Sequence, residues 1–159
     1  MKTKVRNAEI YDAATILGFI NKLAEFENEP LSNVLATEES IIHDGFGETP
    51  AFECLIAEID DSAVGFVLFF QNYSTWDACS GIYVEDLFVE EKYRKLGVGK
   101  KLLNAIAKIA LERNLGRIDL AVLDWNPART FYKTLGMEEM NQWIPYRLER
   151  SKIDRLAAL

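Results

Sequence analysis

Two glycines, Gly97 and Gly99, stand between a strand-like stretch (residues 81–89) and an amphipathic helical one from Gly97 to about Asn114. The run is Arg94-Lys95-Leu96-Gly97-Val98-Gly99. Leu102, Leu103, Ile106, Ile109 and Ala110 follow at helical spacing and mark an inward face. A helix start presents backbone N–H groups without intrahelical partners and the positive end of a dipole. Glycine lets a ligand come close to that backbone. An anion is the natural occupant, phosphate above all. Lys92, Arg94, Lys95, Lys100 and Lys101 surround the turn with no acid among them. The run is not a Walker A loop, because Arg94 stands where its first glycine belongs and Lys101 replaces its Ser/Thr. It is not a dinucleotide fingerprint either, since Leu102 holds the third glycine position. Taken alone, the motif also reads as a tight helix entry.

The remaining periodicities place this unit in a larger order. Residues 3–9 read as a strand, and Asp12 as the N-cap of a helix to about Glu27 with Ile16, Leu17, Ile20, Leu23 and Ala24 on its apolar stripe. Thr37 caps a short helix that closes near Gly45 and Gly47. Residues 51–59 and 63–72 are strands around an Asp60-Asp61-Ser62 turn. After the central helix, residues 117–123 are a strand. Asn126-Pro127 opens a short helix that Gly136 stops, and 143–150 reads as a last strand. The order β-α-α-β-β-β-α-β-α-β, with antiparallel hairpins in the middle, makes a mixed α/β (α+β) sheet. At 159 residues, without repeats or linkers, one domain over 1–159 is the expectation.

Charge is split sharply along the chain. From Leu23 to Glu91 there are sixteen Asp or Glu and no Lys or Arg; residues 92–159 carry fourteen bases against seven acids. The first 91 residues thus hold a net −14 and the rest +7, which suggests two charged partners of opposite sign. A nucleic-acid partner is not expected, since the chain is acidic and no aromatic-basic interleaving occurs. The longest apolar run, Ala63 to Phe70, is too short to cross a membrane. The first six residues are basic with no apolar stretch behind them, so no signal peptide is read there and a cytoplasmic location is expected. His43 is the sole histidine, and Cys54 and Cys79 are too few for a zinc cluster, so no metal site is expected. Both cysteines are expected reduced and buried in strands. Catalysis would fall to carboxylates, tyrosine, backbone groups or a cofactor.

The glycine motif follows Val84-Glu85-Asp86-Leu87-Phe88-Val89 and precedes a helix, a strand and Asn126…Phe131-Tyr132-Lys133…Leu135-Gly136. In that context the chain resembles the GNAT N-acetyltransferases over most of residues 5–150. It is most similar to the branch of diamine (spermidine/spermine) and thialysine Nε-acetyltransferases. The stretches Lys22-Leu23-Ala24-Glu25-Phe26-Glu27, Asp44-Gly45-Phe46-Gly47-Glu48, Tyr73-Ser74-Thr75-Trp76, Tyr83-Val84-Glu85-Asp86 and Leu120-Ala121-Val122-Leu123-Asp124-Trp125-Asn126 carry the likeness.

The resemblance implies a mostly antiparallel central sheet flanked by helices, acetyl-CoA as cofactor, and a homodimer. It implies that the backbone of Leu87, Phe88 and Val89 pairs with pantetheine. The loop Arg94, Lys95, Leu96, Gly97, Val98, Gly99 and Lys100 would hold the pyrophosphate, and Asn126 and Arg129 would contact the cofactor. Acetyl transfer to an amine needs a proton taken from the ammonium and one given to the leaving thiolate. The resemblance assigns the first to Glu85 and the second to Tyr132. Asp86 adjoins Glu85 but points to the other face of a flat strand, so only one of them faces the acceptor unless a bulge intervenes. Phe26, Glu27, Trp76, Glu85 and Asp119 are the candidate acceptor residues: carboxylates neutralise ammonium groups and Trp76 offers a cation–π face. Two departures stand out. The Asn126–Tyr132 spacing is one residue shorter than the commoner family form, and Gln142 to Arg147 replace an acidic-then-Gly-Trp segment. The expected acceptor is a small cationic primary amine. The competing readings are a protein lysine or N-terminal acetyltransferase and a non-catalytic acyl-CoA-binding module.

Overall fold

The computed structural model describes residues 2–159. It divides into two compact units, residues up to Ala121 and Val122–Leu159.

In the first unit, β1 (Thr3–Asn7), β2 (Glu53–Ile59), β3 (Ser62–Ser74), β4 (Cys79–Val89) and β5 (Ile118–Leu120) form one sheet in the order β1-β2-β3-β4-β5. The first four strands are antiparallel neighbours; β4 and β5 are parallel. The Asp60-Asp61 turn takes φ of 49° and 58°, the doubly positive form that suits the twist of a tight hairpin. Helix α1 (Ala13–Phe26) and helix α2 (Glu38–Phe46) share one core with the sheet, in which Ile16, Phe19 and Ile41 meet Cys54, Ile56, Phe66, Leu68 and Phe88. Helix α3 (Val98–Glu112) packs against β1–β4 and buries Leu102, Leu103, Ile106 and Ala110.

Caps follow the sequence closely. Thr37 Oγ1 accepts the Ser40 N–H at 3.1 Å and Ser40 Oγ accepts the Thr37 N–H at 2.9 Å, a reciprocal capping box on α2. Asp12 precedes α1 as expected, but its side chain works differently. It accepts the Glu9 N–H at 2.8 Å and pairs with the Arg6 fork, so it ties β1 to the start of α1. Cys54 is buried in β2; Cys79 is only half-buried at the start of β4, and both are free thiols.

The second unit holds α4 (Ala128–Thr134) and α5 (Arg150–Ala157). The expected last strand over 143–150 is absent among the described residues: 143–149 carry no regular structure, and α5 begins at Arg150. Pro145 has no N–H for a ladder, and every residue from 138 to 159 is exposed, so the segment buries no strand face. The observed order is β-α-α-β-β-β-α-β-α-α. Strand β5 is also shorter than the expected 117–123: its parallel ladder ends at Val84↔Leu120, one residue before a bulge in β4.

Candidate active site

The bulge organises the acidic side. Leu68 faces Asp86, but the next residue of β3, Phe69, faces Val84. Glu85 is therefore the extra residue of β4, with nothing opposite it. Cross-strand partners share a face, so Asp86 lies on the side of Leu68, where α1 packs. Asp86 is half-buried and Glu85 exposed. Burial, then Glu85, then Glu27 push the Asp86 carboxyl up to about 6. Glu27, the residue that closes α1, is itself raised by burial and then by Glu29. Glu27, Glu85 and Asp86 thus form one mutually repelling group. A flat strand puts Asp86 opposite to Glu85, and the bulge is the condition that brings Asp86 to the Leu68 face. The available signal was the tandem of acids, which interrupts the period-two alternation of β4.

Other acceptor candidates lie on the same unit. Phe26 is on α1, with the Arg94 guanidinium 4.6 Å from its ring centre. Trp76 is 85% exposed in the β3–β4 turn, which is held by the Asp77 N–H donating to Ser74 Oγ at 3.1 Å. Asp119 lies opposite Tyr83. Its Oδ2 accepts Asn72 Nδ2 at 2.9 Å and meets Arg117 Nε at 2.8 Å.

The basic loop is shaped by backbone. A one-turn 3-10 segment, Glu91–Tyr93, is followed by Arg94, whose Nε donates to the Val89 carbonyl at 2.9 Å and whose plane lies over Phe26 and Phe88. Arg94 is thereby committed to holding the loop against β4 and α1. Lys95 and Gly97 take positive φ, 63° and 82°. At Gly97 an added Cβ would meet nothing within 4 Å, so the requirement for glycine is conformational and the space above it is open. No side chain caps α3, and its ladder begins with Lys101 N–H to Gly97 O at 3.0 Å. The amides of Val98, Gly99 and Lys100 therefore have no intrahelical acceptor. Val98 is buried and anchors the turn, while Lys95, Leu96 and Lys100 are exposed. Upstream, Leu87, Phe88 and Val89 pair with Val67, Phe66 and Gly65 on the β3 side. On the other side β5 covers only Ile82–Val84, so among the described residues β4 has an open edge from Glu85 onward.

In the second unit, Asn126 is buried and its Oδ1 accepts the Ala128 N–H at 2.9 Å, capping α4. Arg129 donates from Nη1 to the Asp124 carbonyl at 2.5 Å, and its Nε and Nη2 reach Glu139 Oε1 at 3.1 and 2.8 Å. Lys133 meets the same oxygen at 3.0 Å, and Lys133 and Arg129 hold the Glu139 carboxyl below its usual range. Tyr132 is half-buried with its ring tilted against Phe131 at 5.4 Å between centres. Among the described residues no three His, Cys, Asp or Glu gather as metal ligands, and no helix is long and apolar enough to cross a membrane.

Residues 20–137 match the Acetyltransferase (GNAT) family. The chain is 39% identical over 166 residues to the thialysine N-epsilon-acetyltransferase of Bos taurus, covering 96% of each. It is 44% identical over 101 residues to an L-ornithine N5-acetyltransferase of Arabidopsis thaliana, covering 63% of this chain and 43% of that one. The solved integron cassette protein of V. cholerae superposes with a TM-score of 0.81 at 23% identity, covering 99% of this chain and 98% of the other, which bears on the fold. A five-stranded sheet that opens beside an uncapped helix start, with this span of matched sequence, settles the family: the chain belongs to the GNAT acetyltransferases.

Proposed function

We propose that the protein transfers acetyl from acetyl-CoA to the primary amine of a small cationic acceptor, of the thialysine, ornithine or diamine kind. The observation that carries the reading is the β4 bulge, which groups Glu85, Asp86 and Glu27 beside an open strand edge. The named acceptors of the matched relatives are amines of this class.

The residues present suit the cofactor. A long amide-bearing arm fits the unpaired β4 edge at Leu87, Phe88 and Val89. A pyrophosphate fits the three unaccepted amides of α3 under Gly97, with Lys95 and Lys100 at the rim. When bound, acetyl-CoA supplies an acetyl thioester. Glu85 and Asp86 draw the ammonium and take its proton, so that the nitrogen lone pair is available to attack. The Tyr132 hydroxyl gives a proton to the departing sulfur. The family likeness gives Asn126 and Arg129 to the cofactor, and Glu27, Phe26 and Trp76 orient the amine. Asn126 acts through the cap that it sets on α4, since its Oδ1 is engaged there. The reading extends to a cytoplasmic homodimer; the exposed apolar Ile144, Ile153 and Leu156 of the second unit favour a partner copy. A free-thiol assay with acetyl-CoA against lysine, thialysine, ornithine, diamines, spermidine and lysine peptides tests the function. Release with small amines is expected; preference for peptides or no release overturns it.

A further inference from the structure

A polar cluster lies on the same sheet face as Asp86, nearer the β3–β4 turn. Leu68, Phe70 and Asn72 alternate onto that face, and their neighbours Tyr83 and Asp119 follow by register. Phe70 and Tyr83 stack with ring centres 5.2 Å apart, as that register requires. Tyr83 is three residues from Asp86, so Asp119 lies about 10 Å along the sheet from the acidic group at strand rise.

Asp119 is not left as a bare anion. Asn72 Nδ2 and Arg117 Nε both reach its Oδ2, at 2.9 and 2.8 Å, and Arg117 Nη1 lies 3.5 Å from Asp77 Oδ2. Glycine at position 81 makes the arrangement possible. A Cβ there would meet Asn72 Oδ1 at 2.7 Å, the Arg117 Cγ at 2.9 Å and the Arg117 carbonyl at 3.0 Å. The Arg117 stem therefore crosses β4 where no side chain stands. Asn72 Oδ1 beneath it is buried and has no hydrogen-bond partner. Leaving a buried acceptor unmade is unfavourable, so the packing of Arg117 over this spot is maintained against a cost. The strands β3 and β4 contribute no cation of their own to this face: residues 23–91 contain no Lys or Arg.

We propose that Arg117 is a specificity-determining residue, a built-in counter-cation that occupies Asp119 and Asp77 and so turns away acceptors whose far end carries a further ammonium. The inference rests on the small-amine reading above. A short diamine or a basic amino acid engages Glu27, Glu85 and Asp86 and leaves Arg117 undisturbed. A longer triamine brings a positive charge against the guanidinium and finds its natural carboxylates already paired.

Calorimetric titration of spermidine and of 1,3-diaminopropane into the parent and Arg117→Gln tests this without needing turnover. Spermidine is expected to bind Arg117→Gln about fivefold more tightly than the parent, the upper range for an exposed charge pair. 1,3-Diaminopropane should stay within about twofold, as for an exposed charge that it does not reach. Arg117→Lys, which keeps a cation, should stay near the parent, and adding Asp119→Asn to Arg117→Gln should cancel the gain. An unchanged spermidine affinity in Arg117→Gln, or a parallel change for both amines, overturns the proposal. Thiol release with 1,3-diaminopropane is measured alongside: its failure would count against acetyl transfer, while the ratio of affinities still decides the role of Arg117.

Discussion

Asp86 stands across the β3–β4 ladder from Leu68, with its carboxyl on the apolar face that α1 shares. Burial, and then Glu85 and Glu27, push that carboxyl up to about 6. The folded chain thus holds this proton more tightly than the unfolded chain, where an aspartate titrates near about 3.9. Between those values stability falls as pH rises, because the folded state binds more protons. Asp86→Asn is expected to stabilise the protein at pH 7 by on the order of 2 kcal/mol. The gain should vanish below about pH 4, where both states are protonated. Denaturant melts of parent and variant at the two pH values check this; equal stability at pH 7 would mean that the carboxyl is not desolvated.

The same ionisation should appear in catalysis. A carboxyl that must be charged to take the ammonium proton works only above its own titration. With small amines, kcat/KM should therefore rise through an acid limb centred near 6. Asp86→Asn should lose the limb and most of the rate, whereas Glu85→Gln should lower the rate and shift the limb downward by removing a neighbouring charge. A limb unchanged in Asp86→Asn would assign it to another group.

Tyr132→Phe removes a hydroxyl and keeps the ring that packs against Phe131. If that hydroxyl protonates the leaving sulfur, kcat should fall by about 10²–10⁴, the usual reach of a general acid. Acetyl-CoA affinity should hold, which separates the proton from the packing. A variant within about twofold of the parent would leave Tyr132 a packing role, since that is far below general-acid magnitudes.

What was legible in the sequence depended on the range of the interaction. Thr37 reads as the cap of α2 because a cap acts within one turn, and Ser40, three residues on, completes the box in the structure. So could the helix face built on Leu102 and Ile106, because period and burial coincide in α3. The bulge was not legible in position, although the Glu85-Asp86 pair disturbed the alternation; which residue is extra is decided by β3 across the ladder. Asp119 was singled out as an acid for the acceptor, but its donor Asn72 is 47 residues away, and no local pattern announces that bond. Residues 143–150 read as a strand, but Pro145 interrupts any ladder and the segment buries no face, so 143–149 carry no regular structure. Asn126-Pro127 reads as a helix opening from local chemistry alone, and the Asn126 bond to the Ala128 amide is that opening.

Gly99 lies in the first turn of α3, between the unaccepted amides of Val98 and Lys100. Gly99→Glu places bulk and a negative charge where a pyrophosphate would sit. It should abolish acetyl-CoA binding by calorimetry while leaving the fold intact, since a carboxylate near a helix N-terminus is itself favourable for the helix. Gly99→Ala should weaken binding far less. Unchanged affinity in Gly99→Glu would remove the pyrophosphate from this helix start.

Arg6 joins three parts of the first unit. Its Nη1 and Nη2 meet the two Asp12 oxygens at 2.6 and 2.9 Å, and its Nε meets Glu58 Oε1 at 2.6 Å. Asp12 is only 5% exposed, so removing Arg6 strands a buried carboxylate. Breaking one side of a buried pair typically costs about 3 kcal/mol or more, and Arg6→Ala should lose stability on that scale at pH 7. The bond to Arg6 is the main cause that holds both carboxyls, Asp12 and Glu58, below their usual range. A lowered carboxyl stabilises the fold above its unfolded pKa and loses that contribution as pH falls through the folded one. The parent should therefore weaken on acidification below about pH 4. Arg6→Ala keeps only the weaker partners, the Glu9 N–H on Asp12 and Lys4 on Glu58, and has less to lose, so the gap between the two should narrow as the pH drops. Chemical denaturation across pH 3 to 7 measures it. A gap that is small at neutral pH, or that widens in acid, would show that Arg6 does not lock β1 to α1 and β2 through its charge.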